Sequence, residues 1–167
     1  MSEIRVNILA PQKQLSMKSS ENNKAELALD FGRAQNEMRS RIRQVIQAKI
    51  SAVDPDISFE LLEIIGLLWR RDGINQQEIS DHLSKDKSSV TYLINALVKR
   101  ELVKRVEHEK DRRHKLIFLT KKGKTIRKVI YPLVLDCYAQ ACGDIDLKKL
   151  QESTDMIRQM TENLSPL

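Results

Sequence analysis

The chain is poor in aromatics, in turn formers and in cysteine. Aromatic residues make up 4% of its 167 residues, alongside five Gly and four Pro. Beside 41% hydrophobic residues, that scarcity suits a mostly helical protein whose apolar surface is aliphatic. The two cysteines, Cys137 and Cys142, are too few for a disulfide framework. Their spacing on a helix puts them on different faces, so they read as small hydrophobes rather than a bridge. His82, His108 and His114 are scattered, so neither a metal centre nor any other cofactor is expected. No apolar run approaches the roughly 18 residues of a membrane span. The first residues, MSEIRVNILAPQKQ, lack an apolar core of signal-peptide length, and the expected location is cytoplasmic. GxGxxG, a phosphate-binding Gly-Lys-Ser/Thr, HExxH and CxxC are all missing, so the chain does not read as an enzyme.

What is present is positive charge, and it is concentrated. The formal net charge is +6. Residues 85–128 hold fifteen Lys/Arg against five Asp/Glu, a local net of +10, and the rest of the chain sums to −4. A contiguous basic quarter of the chain is the footprint expected of a nucleic-acid surface.

Periodicity then places the elements. Residues 1–24 are polar, contain Pro11 and read as a flexible arm. Phe31, Met38, Ile42, Val45, Ile46 and Ile50 form one stripe of a helix over about 27–51, broken by Asp54-Pro55. A second helix over 58–71 carries Leu61, Leu62, Ile65, Leu68 and Trp69, and Gly73 stops it. Asn75 and Glu78 have the residue types of a capping box for a short third helix. Ser84, Lys85 and Asp86 turn into a fourth, with Asp86 as its N-cap.

The fourth helix is the most informative segment. Val90, Leu93, Ile94, Leu97 and Val98 make its apolar stripe. The opposite side presents Ser88, Tyr92, Asn95 and Lys99, flanked by Lys87, Ser89 and Thr91. A solvated surface helix normally mixes Glu with its Lys. A hydrogen-bonding face with no acid suits base edges and phosphates. Strand-like runs at 102–106 and 115–119 enclose a polar segment, 107–114, that reads as the charged tip of a hairpin. Its Glu107, Glu109, Asp111, His108 and His114 would lack the burial that catalytic groups need. Thr120 caps a long helix to about 141, bent at Pro132, and a last helix near Asp146 carries Leu147, Leu150, Ile157 and Leu164 close to a coiled-coil seam.

Helix, short helix, polar-faced helix and charged hairpin, in that order, make a winged helix-turn-helix. The fold expected is mostly α with a small β-hairpin wing: an arm at 1–24, a dimerisation helix at 25–54, a DNA-binding winged helix-turn-helix at 55–120 and C-terminal dimerisation helices at 121–167. Phe31, Met38, Ile42, Leu133, Leu150, Ile157 and Leu164 lie in stripes without a core of their own, and a second copy is the simplest partner for them.

The details resemble the MarR family of transcriptional regulators. Asp86, Lys87, Ser88, Ser89, Val90 and Thr91 look like that family's recognition-helix start. Leu102, Val103, Lys104 and Arg105 resemble its entry into the wing. Asp111, Arg112 and Arg113, with Leu119, Thr120 and Gly123, resemble its wing signature and the helix start that follows. Ser84 stands where the family often has Gly, and Tyr92 where relatives often carry Arg. The resemblance implies a homodimer that binds double-stranded DNA at a pseudo-palindrome, usually as a repressor released by a ligand or other signal. The DNA-contacting set it and the polar face imply is Lys87, Ser88, Ser89, Thr91, Tyr92, Asn95 and Lys99, with Lys110, Asp111, Arg112 and Arg113 of the wing. Arg113, oriented by Asp111, would enter the minor groove. By the same resemblance a small aromatic or apolar effector would meet Ile42, Ile46, Leu62, Ile65 and Trp69. The alternative reading is a basic helical interaction module that binds RNA or an acidic protein.

Overall fold

The computed structural model describes residues 9–108 and 111–164, with side chains described for 22–107 and 115–164. It divides into two units, Met1–Arg43 and Gln44–Leu167. Helix α1, Leu9–Ser51, supplies all the described residues of the first. The arm expected at 1–24 is therefore corrected from Leu9 onward, where the chain is already helical. Pro11 caused the misreading. It falls in the first turn, where the amides have no intrahelical acceptor, so a missing N–H costs little. Within this unit Leu27, Leu29 and Met38 are exposed.

In the second unit the end of α1 is tied to the next helix by one amide side chain. Gln47 Oε1 accepts from the Phe59 N–H at 2.6 Å, and its Nε2 donates to Ser51 Oγ at 2.9 Å and to the Ile57 carbonyl at 3.2 Å. Helix α2, Phe59–Arg70, starts at Ser58, whose Oγ accepts from the Leu61 N–H. It buries Leu61, Leu62, Ile64, Ile65, Leu67 and Leu68 and forms the centre of the unit. At roughly 1.5–3 kcal/mol for each large apolar side chain, this burial dominates the local energetics.

Helix α3, Gln76–Leu83, opens with the expected capping box: Asn75 Oδ1 accepts from the Glu78 N–H at 2.9 Å, and Glu78 Oε1 accepts from the Asn75 N–H. Helix α4, Lys87–Lys99, buries Val90, Ile94 and Leu97. Both helices end in the same way. The Ser84 N–H donates to Asp81 O and Lys85 N–H to Ser80 O; the Glu101 N–H donates to Val98 O and Leu102 N–H to Leu97 O. These are Schellman closures, which need a left-handed residue and usually take glycine. Here Ser84 (φ 49°) and Glu101 (φ 59°) occupy that position. A side chain in this region costs about 1–2 kcal/mol, while glycine costs about 0.5–1 kcal/mol more entropy in the unfolded chain. Ser84→Gly is therefore expected to stabilise the protein by about 0.5–1 kcal/mol, read as a higher melting temperature. A lower one would show that the Ser84 side chain contributes more than its backbone costs.

The sheet has three antiparallel strands, β1 (Ile74–Asn75), β2 (Val103–His108) and β3 (Asp111–Leu119), in the order β1-β3-β2. The hairpin is the one expected, but its strands reach further: His108 pairs with Asp111, so the segment 107–114 is mostly strand rather than tip. Two further joints hold the hairpin base. Gly73 (φ +74°) lies so close to Phe118 that an added Cβ would sit 2.4 Å from its ring. Asp72 Oδ1 accepts from the Leu119 N–H at 2.8 Å, and Lys124 Nζ stands 3.3 Å from Asp72 Oδ2.

After the sheet come α5 (Lys121–Thr125), α6 (Arg127–Cys142) and α7 (Leu147–Asn163). One long helix bent at Pro132 was expected; instead the interruption is at Ile126, and Pro132 lies inside α6. The carbonyl of Gly123, which the Arg127 N–H would use in a continuous helix, accepts the Trp69 indole N–H at 3.1 Å. Cys137 is buried and Cys142 half-buried, both as free thiols. Lys49 is paired with Asp136, and that hydrogen bond raises the lysine's pKa. Helix α7 begins at Asp146, which accepts from the Lys148 and Lys149 N–H groups, and buries none of its residues within the chain.

Candidate nucleic-acid interface

Helix α4 is presented by three local devices. At its start the Asp86 carboxylate accepts from the Ser89 N–H at 2.9 Å, from Ser89 Oγ at 2.7 Å and from the Ser88 hydroxyl. The Ser88 and Ser89 hydroxyls and the Ser89 N–H hold Asp86 well below the usual carboxylate range. The helix N-terminus is thus capped by its own permanent negative charge, and Lys85 and Lys87 on either side must supply any attraction for phosphate. Gln76 of α3 braces the first turn by donating to the Lys87 carbonyl and to Thr91 Oγ1.

At its far end Arg100 forms a fork. Its Nη2 lies 2.8 and 2.9 Å from the two Asp54 oxygens, and Nη1 lies 3.1 Å from Asp56 Oδ2. Burial works against the charge of Arg100, but Asp56 and Asp54 outweigh it and raise the pKa. The corner after α1 thereby fixes where α4 ends. Lys122 Nζ donates to the Arg100 carbonyl at 3.0 Å.

Between these anchors the residues singled out in the sequence divide into two groups. Tyr92 is 74% exposed, and Lys87, Asn95 and Lys99 are exposed as well. Ser88, Ser89 and Thr91 are occupied: the first two donate to Asp86, and half-buried Thr91 donates to the Lys87 carbonyl at 2.7 Å. Lys110 lies outside the described residues, as do the side chains of Asp111, Arg112 and Arg113. Of the expected effector wall, Ile46, Leu62 and Ile65 are buried, and Trp69 donates to Gly123; Ile42 is buried and belongs to the other unit.

Two clefts flank α4. One, of about 450 Å³, is lined by Glu60, Lys85, Ser88, Ser89, Tyr92 and Leu93. The other, of about 350 Å³, lies toward the wing and is lined by Asn75, Gln76, Gln77, Lys87, Arg105, Lys115 and Ile117. Three cations and three amides line the second without a carboxylate, which is chemistry suited to phosphate and base acceptors. Arg105, Lys115 and Gln76 were not selected from the sequence. Alternation along β2 could have found Arg105, since it shares a face with Val103.

A model of the MarR family matches residues 57–115. The HTH-type transcriptional regulator MgrA of Staphylococcus aureus is 25% identical over 111 residues, 66% of this chain and 72% of that protein. A MarR transcriptional regulator from Methanosarcina mazei Go1 superposes with a TM-score of 0.72 at 30% identity, covering 80% of this chain and 94% of that one. A putative MarR family regulator from Listeria monocytogenes, solved with a 26mer DNA, superposes with a TM-score of 0.72 at 18% identity over 79% of this chain and 87% of that one.

Proposed function

Since the chain belongs to the MarR family of transcriptional regulators, we propose that it binds double-stranded DNA as a homodimeric repressor and leaves its site on a signal. The observation that carries this reading is the outer face of α4. Tyr92, Asn95 and Lys99 stand exposed there, and toward the wing lies a cleft, lined by Lys87, Arg105 and Lys115, whose charged lining is wholly cationic. Such a helix fits the major groove, and the wing, with Arg113 as its minor-groove residue, follows the adjacent backbone.

The dimer is supported by what the chain leaves uncovered. On α6, Tyr131, Leu135 and Tyr138 are 42%, 51% and 49% exposed at helical spacing; Leu147 at the start of α7 is 79% exposed, and Leu164, just past its end, 86%. A second copy would cover these faces and place two recognition helices about one helical turn apart on the duplex.

Selection of bound duplexes from a random pool tests both parts, and the expected product is a pseudo-palindrome. On that site Tyr92→Ala should weaken binding by roughly 1–3 kcal/mol with an unchanged melting temperature, because the side chain packs against little of its own chain. Equal binding to single strands and duplexes, with a steep salt dependence, would instead make the protein a general basic interaction module.

A further inference from the structure

The wing does more to α4 than lie beside it. Val103 opposes Leu119, Arg105 opposes Ile117 and Glu107 opposes Lys115 across β2 and β3. Opposed residues share a face. Val103, Leu119 and Ile117 are buried, so this face is turned to the core and becomes charged as the hairpin leaves it. Arg105 is the first β2 residue on that face beyond the core. It reaches back to the recognition helix, with Nη2 donating to Asn95 Oδ1 at 2.7 Å.

Chemistry decides which end of the Asn95 amide faces the wing. A guanidinium has only donors, so the atom it meets must be the oxygen, and the NH₂ group points the other way. An unrestrained Asn offers an acceptor and a donor together, the pair that matches the N6/N7 edge of adenine. With its oxygen engaged by Arg105, Asn95 offers donors. The charged residues of the cleft that Arg105 lines, Lys87, Arg105 and Lys115, also only donate.

We propose that the Arg105–Asn95 pair is a specificity determinant, in which Arg105 sets the amide of Asn95 so that it selects the all-acceptor edge of guanine over adenine. This rests on the DNA-binding reading. Asn95 is the reading residue and Arg105 its positioning residue.

The test uses the full-length protein and its selected duplex. Asn95→Ala first identifies the base position that responds. Affinities for the four bases at that position are then compared for the parent, Arg105→Met and Arg105→Lys. The parent should favour guanine over adenine by roughly tenfold. Arg105→Met frees the amide to turn, so the ratio should fall to about one, with base preferences elsewhere and the melting temperature unchanged. Arg105→Lys should restore part of the preference, because an ammonium also only donates. A merely electrostatic Arg105 would lower affinity for all four bases alike and leave the ratio intact, which overturns the proposal. So would an adenine preference in the parent, or no position responding to Asn95→Ala. A parent that binds no duplex at all is a distinct result: it removes the DNA-binding reading, and the inference with it.

Discussion

Gly123→Ala is expected to destabilise the protein by roughly 3 kcal/mol, although alanine is the better helix former by about 1 kcal/mol. An added Cβ would lie 2.0 Å from the Leu102 carbonyl oxygen, and 3.1 Å from both the Leu102 carbonyl carbon and Leu119 Cδ2. The oxygen cannot easily retreat, because it accepts the Thr120 N–H at 3.1 Å and the Thr120 hydroxyl at 3.3 Å. Helix α5 must therefore move off the hairpin base. Thermal denaturation should show the midpoint falling by about 10 °C. Gly66→Ala is the matched contrast. Nothing lies within 4 Å of a Cβ built there, in mid-α2, so the same substitution should stabilise by about 1 kcal/mol. If both variants move the midpoint in the same direction, close packing at Gly123 is not what decides the outcome.

The second large effect concerns association. Leu150→Glu combined with Ile157→Glu should leave each chain folded and weaken dimerisation by roughly 4 kcal/mol or more, about a thousandfold. The two side chains are 40% and 37% exposed on α7, so neither belongs to the core of its own chain. In a symmetric dimer each is lost twice, which makes four partly covered apolar side chains at about 1 kcal/mol or more apiece, and a buried carboxylate adds to the cost. Sedimentation velocity should show a monomer, and binding to the selected duplex should weaken in step because one lobe would make half the contacts. A stable dimer in this variant would mean that α7 does not carry the interface.

The elements that local chemistry specifies were legible in the sequence. The capping box at Asn75, the N-caps at Asp86 and Thr120, the stripe of α4 and the hairpin all depend on residues within a few positions of one another. What escaped depends on partners far along the chain. Strand β1 is two residues long and exists because β3 accepts it. The break at Ile126 follows Trp69, which reaches Gly123 from 54 positions away. Arg100 finds Asp54 across 46 positions, and Arg105 finds Asn95 only once the hairpin folds back on the helix. Within the candidate site, face and charge could be read from spacing. Which hydroxyls were already engaged could not, because Asp86 and Gln76 claim them through turn geometry. The early start of α1 was hidden for the opposite reason: Pro11 looked like a breaker and lies where helices tolerate it.

The bond from Trp69 to Gly123 also gives the molecule an optical reporter. Trp69 is the only tryptophan in the chain, so all indole emission comes from one known place. That place is a half-buried ring on α2 whose N–H is held by a carbonyl of α5. Emission will therefore respond to the seating of α5 even while the rest of the chain stays folded. If α5 leaves its seat, the ring gains water and the spectrum moves to longer wavelength while helical circular dichroism persists. Time-resolved fluorescence on mixing with DNA would then follow that one joint without any label being attached.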